Sequence, residues 1–534
     1  MTQYLLRIEA VNLEQVLQDT DQLSVIRGGG LQALEAVRRY DPEWPSQVRM
    51  PIPETPGQET PTPELISGGA SVGLYRLDLP PDDSKEPHQA LTDKIAEDLA
   101  AAYPHHTFVV DIEPVPQREG GFATARERVI AKNRLRQMQQ PTLAVPPMSE
   151  GAVGPCDWDD LRPAVVEQQL RSAADGTPRS VRLSRSVHDR YRYGTEQKKR
   201  FLDTTTGLDL DYTDDFEQLA GDFPQDRRLQ NKLAVLYFDG NHFGKHQGDC
   251  ETPEALQQLD RYLRDQRKRL LKGLIGHLSG LPGAFCRSPV KAAEPAGPKA
   301  ERLRFELLLW GGDEILFVVP AWLGLEALFH FYAATGDWTW NGAPLTHAGA
   351  LIFCDHKTPI DRMTSLARDL AEDRVKEFAD GTGREHNRFE YMILESIDFP
   401  AERPDAYLQQ RYPALHPTRR PLSPVPSARD LIARLAALRD SDEIPHGPIH
   451  EGALRLVRDC RDCRPDEEAE RHQRDLEQRA AASGETAQEA LTALQAHLTE
   501  LFPEETPAWR WVHLAELWDY LAPRAGTTGK GALG

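Results

Sequence analysis

A glycine-rich turn with two acidic residues joins two apolar runs in the middle of the chain. Residues 305–319 read FELLLWGGDEILFVV, with Gly311, Gly312, Asp313 and Glu314 between the runs. The glycines permit the backbone angles of a tight hairpin, and the flanking runs can be buried in a sheet. Asp313 and Glu314 would then lie at a strand end, where a hard cation and a triphosphate could reach their carboxylates.

Another candidate acid ends an apolar run upstream. Residues 233–245 read LAVLYFDGNHFGK, so Asp239 and Gly240 offer a carboxylate and a carbonyl oxygen at one strand end, a pairing that divalent cations favour. With Asp239 and Asp313 on neighbouring strands, two metal ions roughly 3.5–4 Å apart could be held. We therefore predict catalytic acids Asp239, Asp313 and Glu314 and a metal site of these acids with the Gly240 carbonyl; the alternative is an ordinary acidic turn.

The order of these motifs resembles two related families. GGDEF nucleotide cyclases carry a strand-end Asp followed by a GG(D/E)EF hairpin. A closer match is the large polymerase-cyclase subunit of type III CRISPR effector complexes, whose second palm domain has a D-G-N-x-x-G element and a GGDD hairpin. Further stretches resemble that subunit: 4–34, with an Ile-Arg-Gly-Gly turn at Ile26 to Gly29; 66–77, a glycine hairpin in place of an active one; 345–360; and 387–400.

The patterns and the resemblance together predict an α+β fold with two ferredoxin-like palm domains and an α-helical C-terminal domain. The predicted segments are 1–145, a degenerate palm; 146–230, a linker with a remnant zinc-binding segment; 231–400, the catalytic palm; and 401–534, the helical domain. In the first palm Gly68 and Gly69 are followed by Ala70 and Ser71. Glu9 stands where the other half has Asp239, so we predict that the first palm is not catalytic.

Periodicity places the elements within these segments. For the first palm we expect strands at Tyr4–Ile8 and Phe108–Ile112, and helices near Leu13–Leu17, 88–103 and 121–138. For the second palm we expect a helix over 361–378. The polar, Pro-rich stretch 140–230 is predicted to be a linker or irregular structure, and the Pro- and Arg-rich stretch 401–427 a linker or extended arm. Helical patterns follow at 428–439, 449–460, 467–482, 486–502 and 509–522.

The resemblance implies a metal-dependent nucleotidyltransferase that uses Mg²⁺ or Mn²⁺ and makes a cyclic oligonucleotide signal, cyclic oligoadenylate from ATP, in antiviral defence. The implied nucleotide-binding residues are Gly240, Asn241, Phe243, Gly311, Gly312, His347 and Lys376. Glu314 replaces the second Asp of the family's GGDD. His347 replaces a Ser beside the bound nucleotide, which puts the base preference in doubt. Lys376, which would neutralise the triphosphate, follows Val375 where relatives have Ala; a surface lysine is the alternative.

Two other functions stay open at this point. One is a weakly active or non-catalytic scaffold subunit of an RNA-guided defence ribonucleoprotein. The other is a GGDEF-type cyclase that makes a guanine dinucleotide, against which Ile315 stands in place of the usual Phe. The partners implied are nucleoside triphosphates, guide or target RNA, other CRISPR effector subunits and a second copy of the chain.

Composition sets the wider bounds. The length of 534 residues suggests about three or four domains. Six cysteines do not make a disulfide framework, and we find no apolar run of membrane-spanning length and no secretory signal. A cytoplasmic protein without a membrane partner is therefore expected. The net charge of −20 disfavours nonspecific nucleic-acid binding. The basic residues Arg190, Lys198, Lys199 and Arg200 indicate either a local basic groove or a solvated face.

Zinc is not expected. Cys156 stands where the family has a zinc-binding Cys-x-x-Cys, but Asp159 occupies the second position, and tetrahedral zinc needs four good ligands. Cys460 and Cys463 are interpreted as a pair of helix cysteines. His188-Asp189 is an isolated dipeptide, and we expect no HD nuclease domain before the first palm.

Overall fold

The computed structural model describes residues 1–11, 19–43, 51–52, 62–84, 87–140, 154–171, 178–221, 223, 228–287, 301–378, 381–394, 400, 403–415, 419–441, 443–444, 446–458 and 464–521. The chain divides into two compact units. The first comprises Met1–Asp209, His242–Leu271 and Leu307–Ile315, and the second comprises Leu210–Asn241, Lys272–Glu306 and Leu316–Gly534. The predicted helix near Leu13–Leu17 and most of the Pro-rich stretch 44–63 lie outside the described residues.

The first unit begins with a four-stranded antiparallel sheet. Its elements are β1 (Thr2–Val11), α1 (Leu23–Ala36), β2 (Glu64–Gly68), β3 (Val72–Leu79), α2 (Gln89–Ala102), β4 (Thr107–Pro114) and α3 (Gly121–Gln139). The strand order is β2-β3-β1-β4, with antiparallel neighbours throughout. Alternate residues of β1, Tyr4, Leu6 and Ile8, are buried in one cluster with Ile95 and Leu99 of α2. The predicted ferredoxin-like order is confirmed for this half.

The segment after the first sheet is more regular than its composition suggested. It contains β5 (Val166–Arg171), β6 (Pro178–Leu183), α4 (Arg185–Thr206) and α5 (Phe216–Ala220). The prediction of linker or irregular structure is therefore wrong for these residues, whereas the segment boundaries remain predictions. Polarity misled the prediction because the buried face of α4 includes Arg190 and Lys198. Arg190 is paired with Asp19 at 2.7 Å, so this part of the basic cluster is neither a groove nor a solvated face.

The Ile-Arg-Gly-Gly motif is helical, which corrects the predicted turn. Ile26 to Gly29 lie inside α1, which packs against α4. A Cβ on Gly28 would lie 1.9 Å from the carbonyl oxygen of Arg190, and a Cβ on Gly194 would lie 2.0 Å from that of Ser24. The two glycines are required because the helix backbones approach so closely, and not because the chain turns there.

The second sheet has five strands in the order β10-β11-β7-β14-β15. The elements of this part of the chain, in order, are β7 (Lys232–Gly240), α6 (Phe243–Gly248), α7 (Pro253–Ser279), β8 (Phe285–Arg287), β9 (Glu301–Leu303), β10 (Glu306–Gly311), β11 (Glu314–Pro320), α8 (Gly324–Thr335), β12 (Thr339–Trp340), β13 (Ala343–Pro344), β14 (His347–Asp355), α9 (Ile360–Asp369) and β15 (Arg388–Ile393). The pairs β8-β9 and β12-β13 form two separate two-stranded sheets. The first four strands repeat the order of the first sheet, and β15 adds a parallel strand beside β14. Residues 395–399 of the predicted closing strand are outside the described residues.

The remaining elements are helical. They are α10 (Pro404–Arg411), α11 (Ala428–Asp440), α12 (His446–Arg458), α13 (Pro465–Ser483), α14 (Glu485–Leu501) and α15 (Pro507–Leu517). The predicted helical C-terminal region is confirmed, and the helix α10 lies within the stretch 401–427 that was predicted to be a linker or extended arm. Short 3₁₀ segments at Ala321–Leu323 and Trp518–Tyr520 complete the assignment. None of the helices within the described residues has both the length and the apolar character needed to cross a bilayer.

Candidate active site

Asp239 stands at the carboxyl end of a central strand. The residues before it, 233–238, are all at most 1% exposed, because β7 lies inside the sheet and is covered on both faces. Asp239 is only 7% exposed and faces Ala348 of β14 in the strand register. The structure thus places Asp239 at the end of β7, as predicted from the sequence.

Lys376 holds this carboxylate. Its Nζ donates a short hydrogen bond to Asp239 Oδ2 and a second, of 2.9 Å, to Glu372 Oε1. Burial acts to lower the pKa of Lys376, but the ion pairs with Asp239 and Glu372 outweigh it and raise the pKa. Lys376 is 7% exposed, so it is not the surface lysine of the alternative interpretation. A buried cation and two carboxylates meet at this strand end.

The lysine lies on an unusual piece of helix. The predicted helix over 361–378 is present as α9, but its last part, Leu370–Lys376, is π-helical. Such segments are rare in proteins and are frequent at functional sites. Glu372 precedes Lys376 by one turn, which puts both side chains on the same face of the helix.

The loop after β7 is fixed to the start of β14. The Asn241 backbone N–H donates to the Thr346 carbonyl at 2.8 Å, and its side-chain amide donates to Thr346 Oγ1 at 3.0 Å. His347 follows, with its backbone N–H bonded to Asn387 Oδ1 at 2.7 Å. These contacts order the chain around Gly240, which is paired with His347 in the register.

His347 is a buried neutral side chain. It is 2% exposed and packs edge-on against Phe331 and Trp338. Burial, aided by the charge of Lys376, lowers its pKa to about 3. The predicted contact of His347 with a nucleotide stays a prediction, as do those of Asn241 and of Phe243, which is buried at the start of α6.

The Gly-Gly-Asp-Glu turn, Gly311–Glu314, belongs to the first compact unit. Gly312 has φ +60°, a left-handed conformation that favours glycine. At Gly311 an added Cβ would come within 2.7 Å of the Ala70 backbone. The Gly-Gly-Ala-Ser turn of the first sheet therefore packs directly against the acidic turn, so a side chain at position 311 would displace one of them.

Arg267 of α7 supports the same turn. Its guanidinium donates a short hydrogen bond to the Gly312 carbonyl. Burial lowers the pKa of Arg267 to about 10, and the nearby carboxylates of Asp260 and Asp313 oppose this effect. Asp260 in turn accepts from the backbone N–H of Gly68 at 3.0 Å. One helix thus binds both glycine turns through an arginine and an aspartate.

A cleft of about 310 Å³ lies beside the two turns. Its lining includes residues 67–72, the Gly311–Glu314 turn and the charged residues Arg7, Asp260 and Arg267. Asp313 and Glu314 are partly exposed. Volumes of this size are typical of small-molecule pockets, and the lining combines carboxylates, cations and glycine backbone.

In the first sheet, the acid at the corresponding strand end, Glu9, is paired with an arginine. Glu9, near the end of β1, is paired with Arg7 at 2.7 Å. Arg7 also donates to Asn133 Oδ1 at 3.2 Å. The carboxylate at this strand end is therefore neutralised by a neighbour on its own strand, which suits the predicted non-catalytic half.

The oxygen donors suit a magnesium site. Mg²⁺ is usually bound by one or two carboxylates together with substrate phosphates and water, and not by an all-protein cage. Asp239 already binds a cationic group, the ammonium of Lys376. Across the described ranges, no group of three or more His, Cys, Asp or Glu side chains is arranged to hold a metal ion. The carboxylate oxygens of Asp239 are of the chemical type that Mg²⁺ binds beside substrate phosphates.

In the segment that resembles a zinc site, Cys156 and Asp159 have structural contacts. Cys156 is buried in an apolar cluster with Val25, Val181 and Leu183. Asp159 forms an ion pair with Arg162 at 2.9 Å. Both side chains therefore serve packing and charge pairing in the fold. Cys460 and Cys463 lie outside the described residues.

The solved structures similar to this chain include several chains of Csm1–Csm4 assemblies. A chain of the Csm1–Csm4 cassette in complex with cA4 is 15% identical, with 98% of this chain and 70% of that chain covered and a TM-score of 0.45. A Csm1–Csm4 cassette chain with one ATP is 14% identical, with 99% and 68% covered and a TM-score of 0.41. A chain from the Csm1–Csm4 subcomplex of the type III-A CRISPR-Csm interference complex is 15% identical, with 87% and 64% covered and a TM-score of 0.42.

This chain spans less than two thirds of the length of the third neighbour. No protein-family model matches the sequence, and no curated protein matches it. We therefore argue function from the residues of this chain.

Three contributors to the site were not anticipated from the sequence: Glu372, Arg267 and Asp260. Glu372 could have been found from its spacing to Lys376, since residues four apart share a helix face. Arg267 and Asp260 carry no such signal, because α7 contains many charged residues and only the tertiary fold selects two of them.

Proposed function

We propose that the chain is a metal-dependent nucleotidyltransferase that makes a cyclic oligonucleotide. The observation that carries this proposal is the ion pair of Asp239 with the buried Lys376 at the end of a central palm strand. A buried carboxylate with a lysine at a strand end supplies both charges that metal-nucleotide binding requires, one for the cation and one for the phosphates. Replacing a buried ion pair with apolar residues of similar volume often leaves the stability of a protein unchanged. The need for stability therefore does not explain why this pair is present.

In this proposal each residue of the chain has a defined task. Asp239, the Gly240 carbonyl, Asp313 and Glu314 supply the oxygen ligands, and Lys376 passes from Asp239 to the triphosphate when nucleotide binds. Bound Mg²⁺ or Mn²⁺ supplies charge neutralisation at the phosphates and a lower pKa for the attacking ribose hydroxyl. Gly311 and Gly312 leave the backbone of the turn open to a close ligand.

The proposed reaction is a displacement at the α-phosphorus of a nucleoside triphosphate. The oxygen of a ribose hydroxyl forms a bond to the α-phosphorus of a second nucleotide, the bond to pyrophosphate breaks, and the hydroxyl proton leaves to solvent. Positioning and charge stabilisation supply most of the catalysis in such transfers. The choice of ATP as substrate and of a cyclic oligoadenylate as product rests on the resemblance of the motifs to the type III CRISPR subunit, as do RNA, other effector subunits and a second copy of the chain as partners.

A scaffold role is the second candidate. It is favoured by the same ion pair, because Lys376 occupies a carboxylate that catalysis would need to release. On this view the paired sheets bind a partner and the acids are structural.

Pyrophosphate release distinguishes the two. Wild-type protein with its co-purified RNA is incubated with each nucleoside triphosphate and Mg²⁺ or Mn²⁺, beside Asp239→Asn, Asp313→Asn and, as a control, Asp466→Asn in the exposed first turn of α13. Release by the wild type and the control, with loss in both site variants, supports the enzyme. Equal release in all four proteins, or none in any condition, contradicts it.

A further inference from the structure

The segment that carries Lys376 is anchored by a second buried cation. Arg374 lies two residues before Lys376 in the π-helical stretch and is buried. Its guanidinium donates to Glu390 Oε2 at 3.3 Å and to Asp405 Oδ1 at 3.0 Å. It also donates to the Arg419 carbonyl at 2.6 Å. The three acceptors come from three different parts of the second unit, namely β15, α10 and the chain that follows α10.

Glu390 connects this anchor to another arginine. It lies on β15 with no exposed surface, and Arg419 donates to its Oε1 at 2.7 Å. Burial acts to raise the pKa of Glu390, but Arg419 and Arg374 outweigh this and lower it. A fully buried carboxylate that bridges two arginines has a defined geometry, since each oxygen accepts from a different guanidinium.

Aromatic rings fix the second arginine. The Arg419 guanidinium lies 5.2 Å from the ring centre of Tyr412 and 5.3 Å from that of Trp509 in α15. Cations over aromatic faces are attracted to them, most strongly where both are buried. The C-terminal helices are thus joined to the π-helical segment through Arg419, Glu390 and Arg374.

We propose that Arg374 is a positioning residue, which sets the place of Lys376 opposite Asp239 by tying the π-helical segment to Glu390, Asp405 and the Arg419 carbonyl. A π-helical segment has an extra residue in its turn, and fixed contacts are needed to keep one register. Without the anchor the last turn can relax toward α-helical spacing, and Lys376 then turns away from the carboxylate. The proposal rests on the role given to Lys376 in the proposed function.

The first test reads the position of Lys376 without any turnover. Acetylation of lysines is followed by mass spectrometry in the full-length chain. In Arg374→Gln, Lys376 labelling is expected to rise roughly five- to tenfold, because the protected state opens more often. Asp239→Asn removes the lysine's partner and should show the same rise. Arg439→Gln is the matched control, since Arg439 is a buried arginine that donates to the Trp518 carbonyl at 3.1 Å; its Lys376 labelling should stay at the wild-type level.

The second test is a double-mutant cycle on product formation. Arg374→Gln is expected to lower the rate roughly 10- to 100-fold. The double variant Arg374→Gln/Lys376→Ala should be no slower than Lys376→Ala, because the arginine acts only through the lysine. Arg374→Lys keeps the charge and replaces the glutamine variant in both tests if the latter does not fold.

Unchanged Lys376 labelling in the arginine variant, or losses that multiply in the double variant, would overturn the proposal. A chain that forms no product in any condition contradicts the proposed function, and in that case the labelling comparison alone decides whether Arg374 positions Lys376.

Discussion

Asp239 and Lys376 bring a carboxylate and an ammonium group together at the end of β7. Burial raises the free energy of each isolated charge, and the ion pairs of Lys376 with Asp239 and Glu372 offset that cost. In the proposed function, nucleotide and metal replace that pairing with a new one, in which the carboxylate faces a cation and the ammonium faces a phosphate. The ion pair would then be a resting arrangement of the site.

The lysine can be tested on its own. We expect Lys376→Ala to lower the rate of product formation by roughly 100-fold, because a charged donor to the triphosphate is lost. Lys376→Arg should retain part of the rate, since it keeps the charge with a different geometry. Initial rates across nucleotide concentrations measure both effects. The control is Lys272→Ala on the exposed side of α7. If Lys376→Ala forms product at the rate of the control, Lys376 has no role in the reaction.

His347 makes the fold sensitive to acid. Its folded pKa of about 3 is below the ordinary value of 6.5, so between these values the unfolded chain binds a proton that the folded chain does not. The stabilisation is therefore fully present above pH 6.5 and is lost as the pH falls toward 3. For His347→Phe we expect the drop in the free energy of unfolding between pH 7 and pH 5 to be smaller by about 1–2 kcal/mol.

Urea titrations at the two pH values measure this difference. His450→Phe, at an exposed position of α12, should leave the drop unchanged. Equal drops in wild type and His347→Phe would show that His347 does not stay neutral in the folded chain.

The candidate acids were predictable from the sequence because each ends an apolar run. Asp239 and the Gly311–Glu314 turn are visible as a change from buried to polar residues, and the structure places them at strand ends. The buried arginines were not predictable, since an arginine in a polar sequence is ordinarily exposed. Arg419 lies in a Pro- and Arg-rich stretch, and only the fold reveals the aromatic rings around it.

At the scale of elements, close backbone contacts explain where the predictions failed. Strands were identified from alternation and apolar runs, and helices of the C-terminal region from their 3.6-residue period. The motif at Ile26 to Gly29 was interpreted as a turn because glycines usually mark turns. In the structure those glycines let α1 and α4 touch, and no local signal distinguishes the two uses.

The helix contact gives a stability prediction. Gly28→Ala and Gly194→Ala each place a methyl group about 2 Å from a backbone carbonyl, so the helices must separate. We expect each change to lower the free energy of unfolding by about 1–3 kcal/mol. Chemical denaturation measures it. The control, Gly276→Ala on α7, has nothing within 4 Å of an added Cβ and should be neutral or stabilising. A Gly28→Ala protein as stable as that control would contradict the observed helix packing.

At the scale of the whole molecule, the chain contains two sheets with the same strand order and different chemistry. The first has Glu9 paired with Arg7 and a Gly-Gly-Ala-Ser turn, and the second has Asp239 and the Gly-Gly-Asp-Glu turn. Both sheets contain the β-α-β-β-α-β order that the sequence patterns predicted for the first half and the family resemblance implied for the second, and β15 is added to the second sheet. The Gly-Gly-Ala-Ser turn lines the cleft together with Asp313 and Glu314, and Asp239 lies at the end of β7 in the second sheet.

The central claim is tested most directly by the product itself. The chain, with any RNA that co-purifies, is incubated with α-labelled ATP and Mg²⁺ or Mn²⁺, and the products are separated and weighed by mass spectrometry. We predict a labelled oligoadenylate without a terminal phosphate, resistant to phosphatase, and its loss in Asp239→Ala/Asp313→Ala protein of unchanged folded content. Undiminished product in that double variant, or no oligonucleotide from any nucleoside triphosphate with either metal and RNA, would contradict the account.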